Sequence, residues 1–443
     1  MTSHRYIPNG EQVTQEMLEE LGISSIDELF ADIPKNLRFQ GNLPIEDALS
    51  ETDMLRHATE LGKKNQNLDD NICFLGGGVY DHFRPLIIDH IIGRSEFYTS
   101  YTPYQPEIAQ GTLQMIFEYQ SLICQLTGMD TSNASMYDVS NAAAEAVLLA
   151  INNTRKAKRV LISEAINPEY FEVIKTYLHF RGIEVITLPV VDGKTDLSRA
   201  NDLISPETAC LVMQNPNYYG TLEDVKQLGS MTEGKTFSVL ITDPISLGVL
   251  EKPGNYGIDI VVGDGQSLGN GMNLGGPYLG YMAVSRKHIR RIPGRVAGLT
   301  RDSRNNRAFV LTLQAREQHI RRYKATSNIC SNQSLNSLVA SIYLNVMGPQ
   351  GLQEVCRQAY AKATYLRNGL LETGLFNETR GNTYFKEFTL QYRGDAKELL
   401  DALKQENILG GIELDNNEIL IAVTEKRTKE ELDKYLEVVR RFQ

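Results

Sequence analysis

Cysteine is sparse in this chain, with five residues in 443: Cys73, Cys124, Cys210, Cys330 and Cys356. They form no CxxC and have no companion histidines at metal-ligand spacing. That excludes a disulfide framework and a zinc site, and leaves buried thiols in a reducing compartment. Long apolar runs are missing too. None approaches the roughly 18 residues that a membrane-spanning helix needs, and the amino-terminal "MTSHRYIPNGEQ" lacks the apolar core of a signal peptide. The expected location is therefore the cytoplasm, with no membrane partner. Positive charge is in deficit, with 45 Lys and Arg against 55 Asp and Glu and a net charge of -10. This argues against a broad nucleic-acid-binding face and leaves small molecules or proteins as partners. The last absence is local. The stretch "GIDIVVGDGQSLGNGMNLGGPYLGYMAVS", Gly257 to Ser285, has no Lys, His, Cys or Arg, although loops at the carboxyl ends of buried strands are where open α/β proteins place reactive side chains.

What is present is an ordinary globular composition, long enough for two or three domains. "TQEMLEELG" and "SIDELFADI" read as acidic amphipathic helices opened by a capping Ser or Thr, and "EDALSETDMLRHATELGKKN" continues helically. From Ala142 helical segments alternate with short apolar runs: "RVLIS", "IEVITLPV", "TACLVMQNPN", "SVLITDPIS" and "IDIVVGDG". Such alternation predicts a mainly parallel sheet with helices on both faces. "YLGYMAVS" follows "IDIVVG" after a glycine-rich connection too irregular for a crossover helix, so it is expected to run antiparallel. "LTLQAREQHIRRYKATSN" is expected to be helical, as are "NQSLNSLVASIYLNVMG" and "GLQEVCRQAYAKATYLRNGLLETG", one of which crosses into a second domain. The tail alternates strand, helix, strand, helix. The fold class is thus α/β, a mainly parallel mixed sheet with an antiparallel strand plus a small C-terminal α/β domain. The expected boundaries are a helical arm at 1–70, a large domain at 71–330 and a small domain at 331–443.

Several constellations could carry chemistry. "MYDVSNAAAEAVLLA" sets small residues at a helix start, where backbone amides and the helix dipole favour an anion; equally, Ser140 or Asn141 could simply cap the helix. Asp243 ends a strand in "LITDPISLG", where a carboxylate can hold the protonated ring nitrogen of a pyridine cofactor or cap a turn. With "MQNPNYYG" before it and the loop at Asp264 after it, the order of parts is that of fold type I pyridoxal phosphate enzymes. That order demands a Schiff-base lysine beside the loop, yet no lysine occurs between Lys252 and Lys287, and each of these lies at the wrong end of the loop or too far along the chain. The covalent anchor is missing. "FLGGGVYDHFRP" has glycines suited to a turn or close backbone approach, and "SEFYTSYTPYQPEIAQGTLQ" interleaves Tyr98, Tyr101 and Tyr104 with polar residues, as either a surface loop of aromatic anchors or an interface does. The cluster of Arg316, Arg321, Arg322 and Lys324 within the basic stretch Arg286 to Lys324 could meet a phosphate or a carboxylate-rich face, or be a solvated helix surface.

"FLGGGVYDHFRP", "SEFYTSYTPYQPEIAQGTLQMIFEYQSLICQLTGMD", "NASMYDVSNAAAEA" and "REQHIRRYKATSNICSNQSLN" resemble the amino-terminal half of glycine decarboxylase, the P-protein of the glycine cleavage system. More narrowly, the chain resembles subunit 1, the alpha subunit, of the form split into two polypeptides. The resemblance implies a fold type I architecture in an α2β2 assembly whose subunit 2 carries the lysine and the pyridoxal phosphate. It implies decarboxylation of glycine and transfer of the aminomethyl group to the lipoyl arm of the H protein. Where the family's active half has a His-Lys pair, this chain has Gly265 and Gln266 or their near neighbours. Val139 and Asn141 replace the smaller residues of the phosphate cradle. On this reading no catalytic residue, covalent cofactor or metal resides in this chain. Its expected contribution to the interface or the partner's active site is Tyr98, Thr99, Tyr101, Tyr104 and Gln105. The alternatives are an independent pyridoxal phosphate decarboxylase or lyase using Lys252, Lys287 or Lys324, and a catalytically inert scaffold of the same fold.

Overall fold

The computed structural model describes residues 6, 8–41, 43–272, 275–276, 278–325, 327, 329, 333–381 and 383–443. The chain divides into two compact units, Met1–Asn65 and Gln66–Gln443. The first holds helices α1 (Glu11–Leu21) and α2 (Glu51–Gly62) and two 3-10 turns. Ser50 caps α2 by accepting from the Asp53 amide at 3.2 Å, so the expected helix starts four or five residues later than Glu46. Gly10 precedes α1 without a side-chain cap, and "SIDELFADI" forms only the 3-10 turn Ile26–Phe30. Ile26, Leu29, Phe30, Leu37 and Phe39 are exposed.

The second unit is built on a seven-stranded sheet. In chain order its strands are β1 (Thr131–Ser132), β2 (Arg159–Ser163), β3 (Glu184–Leu188), β4 (Thr208–Asn215), β5 (Phe237–Thr242), β6 (Ile260–Asp264) and β7 (Gly280–Val284). The spatial order is β1-β7-β6-β5-β4-β2-β3. Strands β2 to β6 pair in parallel, while β7 runs antiparallel to both β6 and β1, as its short connection predicts. Both faces are dry. Leu161, Leu211, Leu240, Val261 and Ala283 point to one hydrophobic cluster, and Val160, Ile162, Val212, Val239, Ile241, Val262 and Met282 to the other. That two-sided burial is why these strands read as continuous apolar runs.

Helices α3 (Gln110–Thr127), α4 (Val139–Asn152), α5 (Pro168–Leu178), α6 (Leu197–Leu203) and α7 (Val225–Thr232) supply the flanking layers. The predicted helix over "LTLQAREQHIRRYKATSN" is a correction. Its start belongs to a hairpin of β8 (Val296–Arg301) and β9 (Arg307–Thr312), and short turns follow, because Leu313 and Arg322 both take positive φ, at +54° each. Thr326 and Asn328 lie outside the described residues. The two predicted long helices form one element, α8 (Ser334–Glu372), broken at Gly348 ahead of Pro349. Its first part packs into the large-sheet core through Leu338 and Tyr343, and its last part into another core through Leu366 and Leu370.

That other core lies under a four-stranded antiparallel sheet of β10 (Phe376–Glu378), β11 (Glu387–Tyr392), β12 (Ile412–Glu413) and β13 (Glu418–Ala422), in spatial order β10-β11-β13-β12. Helices α9 (Ala396–Gln405) and α10 (Lys429–Arg440) cover it. Cys73, Cys210 and Cys356 are buried and Cys124 half-buried, while Cys330 lies outside the described residues. Among the described residues no helix is long and apolar enough to cross a membrane.

The loop after β4 ties the two sheets together. The Leu222 amide donates to the Thr383 carbonyl at 2.9 Å, and Gly220, at φ +88°, lies so close to β11 that a Cβ would stand 2.1 Å from the Glu387 carbonyl oxygen. Gly220→Ala combines a strained left-handed backbone with a clash against main chain, and should cost about 2–4 kcal/mol, read from the urea midpoint.

Candidate functional site

The carboxyl ends of β4, β5 and β6 lie side by side, with Asn215 opposite Thr242 and Thr242 opposite Gly263. The residues immediately following each strand therefore converge. Gln214, Pro216, Asp243 and Asp264 line one cleft with Val139, at the start of α4. The sequence order of parts thus becomes a spatial constellation. Four further walls were not read from the sequence: Tyr80 from the glycine-rich stretch, Tyr170, and Lys386 and Glu387 at the start of β11.

Lys386 dominates the electrostatics. It is 2% exposed, its Nζ stands 2.9 Å from Asp243 Oδ2, and it lies 3.6 Å from the centre of the Tyr80 ring. The contact with Asp243 is an ion pair rather than an aligned hydrogen bond, since Oδ2 has no hydrogen-bond partner; Oδ1 accepts from the Ile245 amide at 3.2 Å. Asp243 thus caps a turn and binds a cation at once. Lys386 Nζ also donates to His82 Nε2 at 2.9 Å, and His82 Nδ1 lies 2.6 Å from Glu425. An ammonium can only donate, so the imidazole carries its proton on Nδ1 and gives it to Glu425. Burial, then the Lys386 charge, lower the His82 pKa and keep the ring neutral. Although burial opposes it, the hydrogen bonds from His82 and the Phe83 amide hold Glu425 below the usual carboxylate range.

The loop after β6 is occupied in the same way. Gln266, 2% exposed, receives the Tyr80 amide at 3.0 Å and donates to the Tyr80 and Asn270 carbonyls at 3.0 and 2.9 Å. Its amide is a structural clamp on the "FLGGGVYDHFRP" segment. Asp264 accepts from the amides of Val139, Gln266 and Leu279. Burial pushes its pKa up to about 6. At the start of α4 the cap is neither Ser140 nor Asn141 but Asp138, which accepts from the Asn141 amide at 2.8 Å and the Ser140 hydroxyl at 2.7 Å. Glu387, receiving Gly77 N–H at 2.7 Å and Tyr80 O–H at 2.9 Å, is raised by burial to about 7.

A pyridoxal phosphate does not fit this arrangement. The carboxylate that would hold its ring nitrogen is engaged by Lys386. That nitrogen and the aldehyde-bearing carbon are para on the ring, so a lysine bound to Asp243 stands at the wrong end for an imine. Gln266 has no amine to offer. Two carboxylates, Asp138 and Asp264, sit where the helix start would otherwise attract phosphate. The space left between these side chains is about 30 Å³, room for a water or two but not for an aromatic ring. Neither Lys252 nor Lys287 nor Lys324 lines the cleft; Lys287 pairs with Asp259 at 2.5 Å, and Asp259 lies at the opposite end of β6.

The tyrosine stretch lies elsewhere. Tyr98, Tyr101 and Tyr104 are 71%, 84% and 48% exposed, and Thr99 and Gln105 are exposed beside them. Tyr101 borders a second cavity with Arg295. Of the basic cluster, Arg316 is buried against Glu317 at 2.8 Å, while Arg321, Arg322 and Lys324 are exposed.

Two measurements check this account. Lys386→Met leaves Asp243 buried and uncompensated and should cost about 3–5 kcal/mol. Adding Asp243→Asn should restore most of that loss in urea titrations; additive losses would refute the pairing. Glu387 binds its proton more tightly folded than unfolded, so stability should fall as pH rises from about 4 towards 7. Asp264 adds to the fall up to about 6, whereas the stability from Glu425 is lost only below about pH 4. Glu387→Gln should flatten the fall by on the order of 2–3 kcal/mol between pH 4.5 and 8.

Comparison with known proteins places this geometry. The family described as glycine cleavage system P-protein matches residues 4–439. A "Probable glycine dehydrogenase (decarboxylating) subunit 1" of Macrococcus caseolyticus is 48% identical over 441 residues, 98% of either chain. A protein of the same description from Bacillus cereus is 48% identical over 437 residues, 97% of either chain. The crystal structure of glycine decarboxylase (P-protein) of the glycine cleavage system, in inhibitor-bound form, aligns with a TM-score of 0.91 at 39% identity, covering 99% of this chain and 100% of that one. Lactobacillus brevis glutamate decarboxylase shares the fold alone, at a TM-score of 0.66 and 12% identity over 92% and 95% of the chains. The architecture is that of fold type I pyridoxal phosphate enzymes, and the chain belongs to the glycine cleavage system P-protein family.

Proposed function

We propose that this chain is the cofactor-free subunit of a two-chain glycine-decarboxylating enzyme, acting with a subunit 2 that holds pyridoxal phosphate on its own lysine. The observation that carries the reading is the Lys386–Asp243 pair, at 2.9 Å, inside the cleft where the fold would seat a cofactor ring. The near full-length likeness to relatives described as subunit 1 supports it. In the assembly, an α2β2 heterotetramer, glycine is decarboxylated at the partner's cofactor and the aminomethyl group passes to the lipoyl arm of the H protein. This chain's part is to complete the architecture. The exposed tips of Tyr98, Thr99, Tyr101, Tyr104 and Gln105 suit the wall of the partner's site, because tyrosines supply rigid apolar area with a polar end. An arm over 1–70, a large domain over 71–330 and a small one over 331–443 are the divisions we assign to it.

The test is reconstitution. The chain is prepared alone and with a candidate subunit 2, pyridoxal phosphate is added, the mixture is reduced with borohydride, and modified lysines are located by mass spectrometry. The expected result is an adduct on subunit 2 only, with exchange of glycine carboxyl against bicarbonate requiring both chains. A stoichiometric adduct on this chain, or equal exchange by subunit 2 alone, would overturn the reading.

A further inference from the structure

The second cavity has the opposite character to the cofactor cleft. It holds about 160 Å³ and is walled by Ser100, Tyr101, Thr102, Ser135, Arg295 and Ser334, with Pro103, Ile116 and Ala134 behind them. None of these described wall residues is acidic, in a chain whose net charge is -10. Three independent features border the same space. The Arg295 guanidinium is held at the wall by Tyr104, donating to its hydroxyl at 3.2 Å and lying 5.4 Å from its ring. Helix α8 begins at Ser334 with no side-chain cap and no acidic residue in its first turn, so its dipole and first amides are not neutralised by a local carboxylate. Ser135 is fully buried, yet its hydroxyl has no hydrogen-bond partner. A buried hydroxyl without a partner costs about 1–3 kcal/mol and is rare enough in folded proteins to call for an explanation.

We infer that this cavity is an oxyanion site, taking the carboxylate or phosphate group of a small molecule. Such a group accepts from the Ser135 hydroxyl, takes a charge-assisted hydrogen bond from the Arg295 guanidinium and caps α8. Asp138 and Asp264 crowd the start of α4 and exclude an anion there; the start of α8 is where this chain retains that capacity. The tyrosine stretch forms the mouth, with Tyr101 largely exposed at its edge. The inference rests on the subunit reading for the source of the ligand, since that reading sets the tyrosines against the partner's site, but not for the chemistry of the cavity.

The test uses the full chain without its partner, titrated at constant ionic strength with inorganic phosphate and, separately, with glycine as a carboxylate probe, following the rise in unfolding temperature. A saturable rise with phosphate alone assigns a phosphate-bearing ligand, with glycine alone a carboxylate-bearing one, and with both a general oxyanion site. Arg295→Gln should weaken the binding roughly tenfold or more. Ser135→Ala separates function from packing: it removes an unsatisfied hydroxyl, so the ligand-free chain should be as stable as the parent or more so, while anion binding weakens several-fold. No saturable rise with either probe, or the same rise in both variants, would overturn the site. Glycine-bicarbonate exchange in the assembled enzyme is a separate readout. Exchange intact with no anion binding refutes the cavity alone, and an anion bound with no exchange refutes the subunit reading alone.

Discussion

The buried pairing of Lys386 with Asp243 is the constraint on which the interior of the second unit depends. A lysine that is 2% exposed is tolerable only where opposite charge and hydrogen bonds replace water. Here Asp243 supplies the charge, His82 an acceptor and the Tyr80 face a third contact. Each partner comes from a different part of the chain. Asp243 follows β5 of the large sheet, Lys386 precedes β11 of the small one, and Tyr80 and His82 lie in the segment after Cys73. The Val423 amide bonds the Lys386 carbonyl at 2.8 Å and the Thr424 hydroxyl bonds the Asp81 carbonyl at 2.7 Å, so the segment, β13 and the start of β11 are fixed together. The pair therefore sets the seating of one sheet against the other more than it adds to net stability, because a buried ion pair gains little over a hydrophobic replacement.

The same pairing explains how a cofactor cleft becomes an ordinary core. A strand-end carboxylate placed to meet a pyridinium nitrogen is a buried anion in want of a cation, and Lys386 supplies that cation from within. A helix start placed to meet a phosphate is a set of amides in want of an acceptor, and Asp138 and Asp264 supply it. A loop placed to carry a lysine carries Gln266, whose amide spends its hydrogen-bonding groups on Tyr80 and Asn270. Each ligand-facing demand of the fold is met by a side chain of matching charge or hydrogen-bonding type. The cost of burying these groups is visible in the raised pKa values of Glu387 and Asp264.

Much of this was legible in the sequence. The parallel strands, the antiparallel return of β7, the four-part order ending at Asp264 and the missing lysine all follow from local pattern, because each depends on residues close in the chain. The replacement cation did not. Lys386 reaches His82 across a separation of 304 residues, and no periodicity or motif encodes a partner at that distance. "YFKEFTLQY" reads as a strand, and one lysine at its head carries no sign of burial. The mistaken helix after Arg307 has a different cause. "AFVLT" alternates as a strand should, but the following basic run was weighted by its helix formers, and the positive φ of Leu313 and Arg322 is decided by tertiary packing rather than by propensity. At the start of α4, Ser140 and Asn141 are both good caps, but the cap is Asp138, two residues before Ser140.

The two polar sites of the second unit divide the properties that a single active site would combine. The cleft at Asp243 has convergent, perturbed, titratable groups but no room. The cavity beside Tyr101 has room, a cation and an unsatisfied hydroxyl but no acid, base or nucleophile among its described walls. Chemistry requires both a reacting group and space for a substrate, and these two sites divide them. The exposed tyrosines mark which of the two turns outward. Burying Tyr98 and Tyr101 against the chain's own surface would have lowered the free energy of the isolated chain through their large apolar area, yet they remain 71% and 84% exposed. Apolar area left exposed in this way is available to a partner, which is the use proposed above for the tyrosine stretch.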